Sequence, residues 1–283
     1  MRIYCKLNDL ASIIESNVTA ALTEDIGSGD RTAQLIAPNA NATASVISRG
    51  DAIICGAPWF DACFRKLEPA SKIHWLASEG GKVGAGQKLA NVRATSRTLL
   101  TAERTALNFL QLLSAVATAT RHYVDAIAGT RAKIVDTRKT LPGLRVAEKY
   151  AVRVGGGLNH RMGLHDAILI KENHIMATGG VAAALSAAAR VAAPGVWIQI
   201  EVENLEQLSE ALAAGAKMIM LDNMDLDQMR EAVRITAGRA ELEASGGITL
   251  DRVRAVAETG VDRISIGSLT KDIKAVDLSM RFD

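Results

Sequence analysis

The chain has 283 residues, 48% of them hydrophobic and only 4% aromatic, with a formal net charge of +2. That length suits one large domain or two modest ones, with apolar residues enough for a substantial core. Near-balanced charge and few aromatics exclude a general polyanion binder and a stacking platform for nucleic acid.

The first eighteen residues, "MRIYCKLNDLASIIESNV", contain no apolar core of a signal peptide, and no apolar run reaches membrane-spanning length. Cys5, Cys55 and Cys63 have neither metal-like nor disulfide-like spacing, which fits a reducing compartment. A cytoplasmic protein with no membrane partner is the expectation. Residues 8–23 predict an amphipathic helix with Leu10, Ile13, Ile14 and Val18 on one side, followed by the turn-rich "EDIGSGDRT". From Ala42 to Val92 the pattern is mostly short strands, expected to form a structural β-sandwich. Within it "SEGGKVGAGQKL" resembles the hairpin of biotinyl and lipoyl carriers, but Lys88 stands just before an apolar strand residue instead of at a hairpin tip. A long helix is expected from about Ser96 to Ala128, striped with Leu99, Leu100, Leu107, Leu110 and Leu113, and joining two domains.

Beyond it, apolar strands are expected at Lys133–Thr137, Ala167–Lys171, Val196–Val202, Met218–Asp222, Glu241–Ser245 and Arg263–Gly267. Helical patterns at Val181–Ala192, Leu205–Ala214, Leu226–Thr236 and Leu250–Thr259 separate several of them. Such alternation implies parallel β/α units, closed into a barrel or an incomplete one, with an open doubly wound sheet as the alternative. Two strands carry polar residues along one face: Gln199, Glu201 and Glu203 in one, Glu241, Glu243 and Ser245 in the other. Strands packed on both sides should be apolar on both, so some of these carboxylates must meet cations or a metal. Residues 131–174 supply nine Lys or Arg against four Asp or Glu, a local positive field suited to a small anionic ligand.

In β/α barrels, reactive groups gather at the C-terminal ends of the strands. Those ends carry Arg138 and Lys139, Lys171, Glu201 and Glu203, Asp222, Ser245-Gly246-Gly247, and Gly267-Ser268. The two small-residue loops suit a phosphate, because glycine lets backbone N–H groups approach its oxygens. Arginine offers a planar fork to carboxylate or phosphate, lysine a point charge. Glu201 and Asp222 offer oxygens to sugar hydroxyls or Mg²⁺, and no His/Cys group favours zinc. His160 and His174 could donate to carboxylates. The residues thus describe a barrel enzyme with a phosphosugar site beside a site for carboxylates. Lys171 at a strand end also permits a Schiff-base aldolase.

The stretches "DTRKTLPGLR", "NHRMGLHDAILIKENH", "EVEN", "MLDN", "EASGGI" and "ISIGSLTKD" resemble, in order, the motifs of the quinolinate phosphoribosyltransferase family, and "EDIGSGDRT" and "ERTALNFLQLLSAVAT" resemble its N-terminal part. The resemblance implies an α/β fold: an N-terminal α/β-sandwich domain at 1–112, rejoined by the tail 270–283, and an incomplete β/α barrel at 113–269. It implies transfer of phosphoribosyl from phosphoribosyl pyrophosphate to quinolinate with loss of CO₂. By resemblance Arg138, His160, Arg161 and Lys171 hold the quinolinate carboxylates, with Thr137 in the same substrate-binding set, and Lys139 faces pyrophosphate. Glu201 and Asp222 hold ribose hydroxyls, with Mg²⁺ bound mainly through the substrate and near these two. Ser245, Gly246, Gly247, Gly267 and Ser268 cradle the 5′-phosphate. A homodimer is implied, open to higher assembly, in which Arg104 reaches the neighbouring active site.

Overall fold

The computed structural model describes residues 7–283; Cys5 lies outside the described residues. The chain divides into two compact units. One comprises residues up to 119 together with 140–156 and 270–283, and the other comprises 120–139 and 157–269. The expected division at 112/113 falls within one helix, α3 (Ser96–Ala126), as does the observed one.

The first unit holds α1 (Leu7–Ile26), β1 (Asn41–Ser48), β2 (Ala52–Ile53), α2 (Ala57–Leu67), β3 (Lys72–Trp75), β4 (Lys82–Val83), β5 (Lys88–Thr95) and the start of α3. Later in the chain it takes in α4 (Arg145–Val154) and β12 (Leu278–Phe282). Its main sheet is antiparallel in the order β12-β1-β5-β3, and β2 pairs with β4 separately. The β-sandwich expected for 42–92 is therefore corrected to strands of a four-stranded antiparallel sheet and a separate two-stranded ladder, with α2 between them in the chain. Lys88 opens β5 opposite Ile47, a strand position and not a hairpin tip.

The interruption is α2. Glu79 caps its start: its two carboxylate oxygens accept the N–H groups of Gly56 (2.8 Å) and Ala57 (3.1 Å), satisfying two donors that no helix can satisfy internally. Trp59, Phe60, Cys63 and Phe64 bury the inner face of α2. Tyr150 on α4 donates to the same Glu79, and its ring stands 5.4 Å from that of Trp59. Glu148, also on α4, is fully buried; Oε2 accepts the Leu141 N–H at 3.2 Å, while Oε1 has no hydrogen-bond partner among the described residues.

The second unit winds β6 (Lys133–Val135), β7 (Ala167–Ile170), α5 (Glu172–Thr178), α6 (Val181–Val191), β8 (Trp197–Val202), α7 (Leu205–Ala213), β9 (Met218–Asp222), α8 (Leu226–Thr236), β10 (Glu241–Ser245), α9 (Val253–Ala257), β11 (Arg263–Ser265) and, reaching into the first unit, α10 (Ser268–Lys271). The sheet order is β6-β11-β10-β9-β8-β7, every pairing parallel. This is one continuous rotation with no reversal of strand order, so the doubly wound alternative is excluded. The first strand joins the last, and only the β6–β7 link is missing. The result is an incomplete β/α barrel. Strand interiors such as Ile200, Val202, Ile219, Leu221 and Ala244 are buried, as a sheet covered by helices requires.

Candidate active site

All six strands run one way, so their C-terminal ends open on one face of the second unit. At the end of β6, Asp136 is buried and accepts the His160 N–H (2.8 Å) and the Asn159 side-chain N–H (2.6 Å). With the bridge between Val135 and Leu158, this binds the segment 158–160 beside β6. Thr137 Oγ1 accepts the Lys139 N–H at 3.1 Å and shapes the turn that carries Arg138.

Arg161 is 7% exposed, and its guanidinium donates to the Ala167 carbonyl at 3.2 Å. Its pKa lies below the usual value, first because of burial and then because the Arg138 cation is near; Asp166 opposes this. Two guanidinium groups held close in a half-dry setting are a poor arrangement alone and a good one around an anion. His160 lies under this pair with both ring nitrogens engaged. Nδ1 accepts the Arg161 N–H at 2.8 Å, and Nε2 meets Gln199 Oε1 at 2.8 Å.

The polar face noted on β8 and β10 finds its partners inside the barrel. Gln199 donates to Glu243 at 3.2 Å, and Arg263 of the next strand stands 3.0 Å from the same carboxylate. Glu243 is fully buried, and burial pushes its carboxyl pKa up against the opposing pull of Arg263. Its cation therefore comes from β11, directly across the ladder, and not from the Lys and Arg residues of 131–174. Glu201, by contrast, meets one of those residues: Lys171 Nζ donates to Glu201 Oε2 at 2.7 Å. Asp222 joins this pair electrostatically. Its pKa is raised first by burial and then by Glu201, while Lys171, Asn223 and Lys139 pull it back.

The glycine loops complete the ring. Gly246 and Gly247 follow Ser245 with φ of +111° and +54°, backbone that side chains other than glycine adopt at a cost. A Cβ on Gly267 would stand 3.1 Å from Lys139 Cδ, so this glycine leaves the path by which Lys139 crosses the end of β11. Ser268 opens α10. His174 is placed differently: its Nδ1 accepts the Lys171 N–H at 3.0 Å, fixing the start of α5. Arg104 lies in the first unit, exposed on α3.

Glu201 and Asp222 are hard oxygen donors that fit Mg²⁺. Among the described residues no group of three His, Cys, Asp or Glu could hold a metal, so its other ligands would be phosphate oxygens and water. The residues that sequence reasoning left out are Asp136, Asn159, Arg263 and Asn223. The acidic face of β10 was the signal for Arg263; Asp136, Asn159 and Asn223 stand within the motifs "DTRKTLPGLR", "NHRMGLHDAILIKENH" and "MLDN", but no spacing or periodicity singled them out.

Models of the quinolinate phosphoribosyl transferase N-terminal and C-terminal domains match residues 29–114 and 116–281. The chain is 43% identical over 257 residues to the probable nicotinate-nucleotide pyrophosphorylase (carboxylating) of Bacillus subtilis (strain 168), covering 91% of this chain and 89% of that protein. It is 42% identical over 273 residues to the nicotinate-nucleotide pyrophosphorylase (carboxylating) of Mycobacterium leprae (strain TN), covering 93% and 95%. The structure of the nicotinate-nucleotide pyrophosphorylase from Francisella tularensis superposes with a TM-score of 0.93 at 45% identity, over 96% of this chain and 97% of that one.

Proposed function

This chain belongs to the quinolinate phosphoribosyl transferase family, and on that premise we propose how its residues divide the work. The reaction joins quinolinate to the ribose of phosphoribosyl pyrophosphate and releases pyrophosphate and CO₂, giving nicotinate mononucleotide for NAD biosynthesis. Two observations support the assignment: Arg138 lies near Arg161, and Lys139, the next residue along the chain, acts on Asp222 together with Lys171 and Glu201.

Arg138 and Arg161 take the quinolinate carboxylates, with Lys171 beside them; one of its three N–H groups is used by Glu201. His160 supports Arg161 from beneath. The ring nitrogen attacks C1 of the ribose as pyrophosphate leaves. Positive charge develops on the sugar, and Glu201 and Asp222 stabilise it while accepting its hydroxyls. Lys139, in its crossing beside Gly267, offsets charge on the departing pyrophosphate. Ser245, Gly246, Gly247, Gly267 and Ser268 cradle the 5′-phosphate. Glu201 and Asp222 also flank the place for Mg²⁺, which when bound would offset further pyrophosphate charge. The ribosylated ring nitrogen is cationic and stabilises the carbanion left when the adjacent carboxylate departs as CO₂.

The protein acts in the cytoplasm as a homodimer in which Arg104 completes the neighbouring site. Support for the dimer comes from the exposed position of Arg104 on α3. The deciding assay is CO₂ release from quinolinate with phosphoribosyl pyrophosphate and Mg²⁺ present. Release that does not depend on phosphoribosyl pyrophosphate overturns the assignment.

A further inference from the structure

Asn223 follows Asp222 at the end of β9 and adopts φ +54°. Only one other non-glycine residue among those described has positive φ, Ala237 at the C-cap of α8. An L-residue in this region is strained, and asparagine tolerates it better than most. Three contacts hold Asn223 there. Its backbone N–H donates to the Ser245 carbonyl at 3.0 Å. Its side-chain Nδ2 donates to Asp222 Oδ2 at 2.9 Å. Its side chain also lies over Gly246: a Cβ on that glycine would run into Asn223 Oδ1 and stand 2.8 Å from Asn223 Cγ. Gly246 is therefore bare for two reasons, its own φ of +111° and the room it leaves for Asn223. Asp222 and Ser245 are direct partners in the β9–β10 ladder, so one side chain spans the two loops that leave these strands.

We propose that Asn223 is a positioning residue that locks the Asp222 carboxylate and the Gly246 backbone into one rigid piece, so that the ribose hydroxyls and the 5′-phosphate of phosphoribosyl pyrophosphate are set at a fixed separation. It rests on the roles assigned above to Asp222 and to the Ser245–Gly247 loop. The substrate makes contacts at both ends of its sugar, and a carboxylate free to swing relative to the phosphate loop would misplace C1 before attack. Asn223 acts through its two neighbours and does not itself take part in bond making.

Backbone and side-chain roles separate with three variants. Asn223→Gly removes the side chain and suits φ +54°; Asn223→Ala removes it and leaves the strain; Asn223→Asp keeps the shape but loses the donor to Asp222. Thermal stability, both KM values, kcat and the pH dependence of kcat/KM are measured for each. In Asn223→Gly the melting temperature stays near wild type. Its kcat/KM for phosphoribosyl pyrophosphate falls by about tenfold or more, while KM for quinolinate moves by less than about twofold. The acid limb of its pH profile moves upward, because Asp222 loses a hydrogen bond that favours its ionised form. Asn223→Asp loses at least as much and gives the answer if the glycine variant folds poorly. Wild-type kcat/KM in Asn223→Gly, or equal rises in both KM values, overturns the proposal. Asp222→Asn serves as the reference. If that variant binds phosphoribosyl pyrophosphate normally, the ribose role of Asp222 falls, and the coupling built on it falls too.

Discussion

The Nε2 nitrogen of His160 lies 2.8 Å from the side-chain oxygen of Gln199. Because Nδ1 accepts the Arg161 N–H, the ring proton sits on Nε2 and is donated to Gln199. Gln199 passes the chain on to Glu243. Replacing Gln199 by Leu removes the acceptor of the buried His160 Nε2–H and one of the donors to Glu243, which keeps Arg263 beside it, at a cost of about 1–3 kcal/mol. The expected result is a clear drop in denaturation midpoint together with a raised KM for quinolinate, since Arg161 loses its support. A variant with both values unchanged would show that the chain has no hold on Arg161.

The Lys171–Glu201 pair behaves differently because the Lys171 side chain is 50% exposed. An ion pair of that kind contributes at most about 1 kcal/mol to folding. Lys171→Met is expected to melt within a few degrees of wild type yet lose about 100-fold or more in kcat. Calorimetry and steady-state kinetics on one preparation decide this; parallel losses would mean that Lys171 is structural.

Burial lifts the Glu148 carboxyl from its usual 4.5 to about 7, against the pull of the Leu141 N–H and Arg145. The folded state therefore holds this proton more tightly than the unfolded chain. The stability this confers is complete below pH 4.5 and is lost as pH rises through about 7. Glu148→Gln keeps the size and removes the titration. Its unfolding free energy should vary less between pH 5 and pH 8 than that of wild type, by an amount on the order of 2–3 kcal/mol. Chemical denaturation at the two pH values measures the difference, and identical slopes would place the titration elsewhere.

Two neighbouring guanidinium groups imply selectivity for a dicarboxylate. Nicotinate, with one carboxylate, leaves the set underpaired, and the penalty for a buried charge without its partner is several kcal/mol. kcat/KM for quinolinate should exceed that for nicotinate by about a thousandfold or more. Comparable values would contradict a site built for two carboxylates.

If Arg104 completes a neighbouring site, Arg104→Ala and Lys171→Ala should each be nearly inactive alone and rescue each other when mixed. A mixed dimer has one site with both residues intact and one with neither. Random exchange makes half of the dimers mixed, so activity should return to about a quarter of wild type. Exchange verified by mass spectrometry without recovery would confine Arg104 to its own subunit.

The second unit was legible in the sequence because its strands are short apolar runs and its helices are rich in alanine, so the two periods alternate cleanly. The helix α4 was not. Its segment "RVAEKYAVRV" is crowded with charges, and it buries Glu148 and Lys149, which no burial tendency would suggest. The inward polar face of β8 and β10 was visible as alternation, but its partner was not. Arg263 faces Glu243 through the β10–β11 register, a fact of strand pairing that spacing along the chain does not contain. Asn223 was hidden for a similar reason: its role depends on a gap at Gly246, more than twenty residues away.

The edge position of β12 against β1 bears on how the chain is made. Synthesis delivers β1 early and β12 only after all the residues of the barrel. Until then β1 offers one row of unpaired backbone groups to any passing strand. The barrel needs nothing from β12 for its own ladder, so its sheet can close without waiting for the first sheet to be completed. A released chain truncated before residue 278 should thus carry a folded barrel and an adhesive β1 edge. A peptide matching 278–282, supplied in trans, would be the natural cover for that edge.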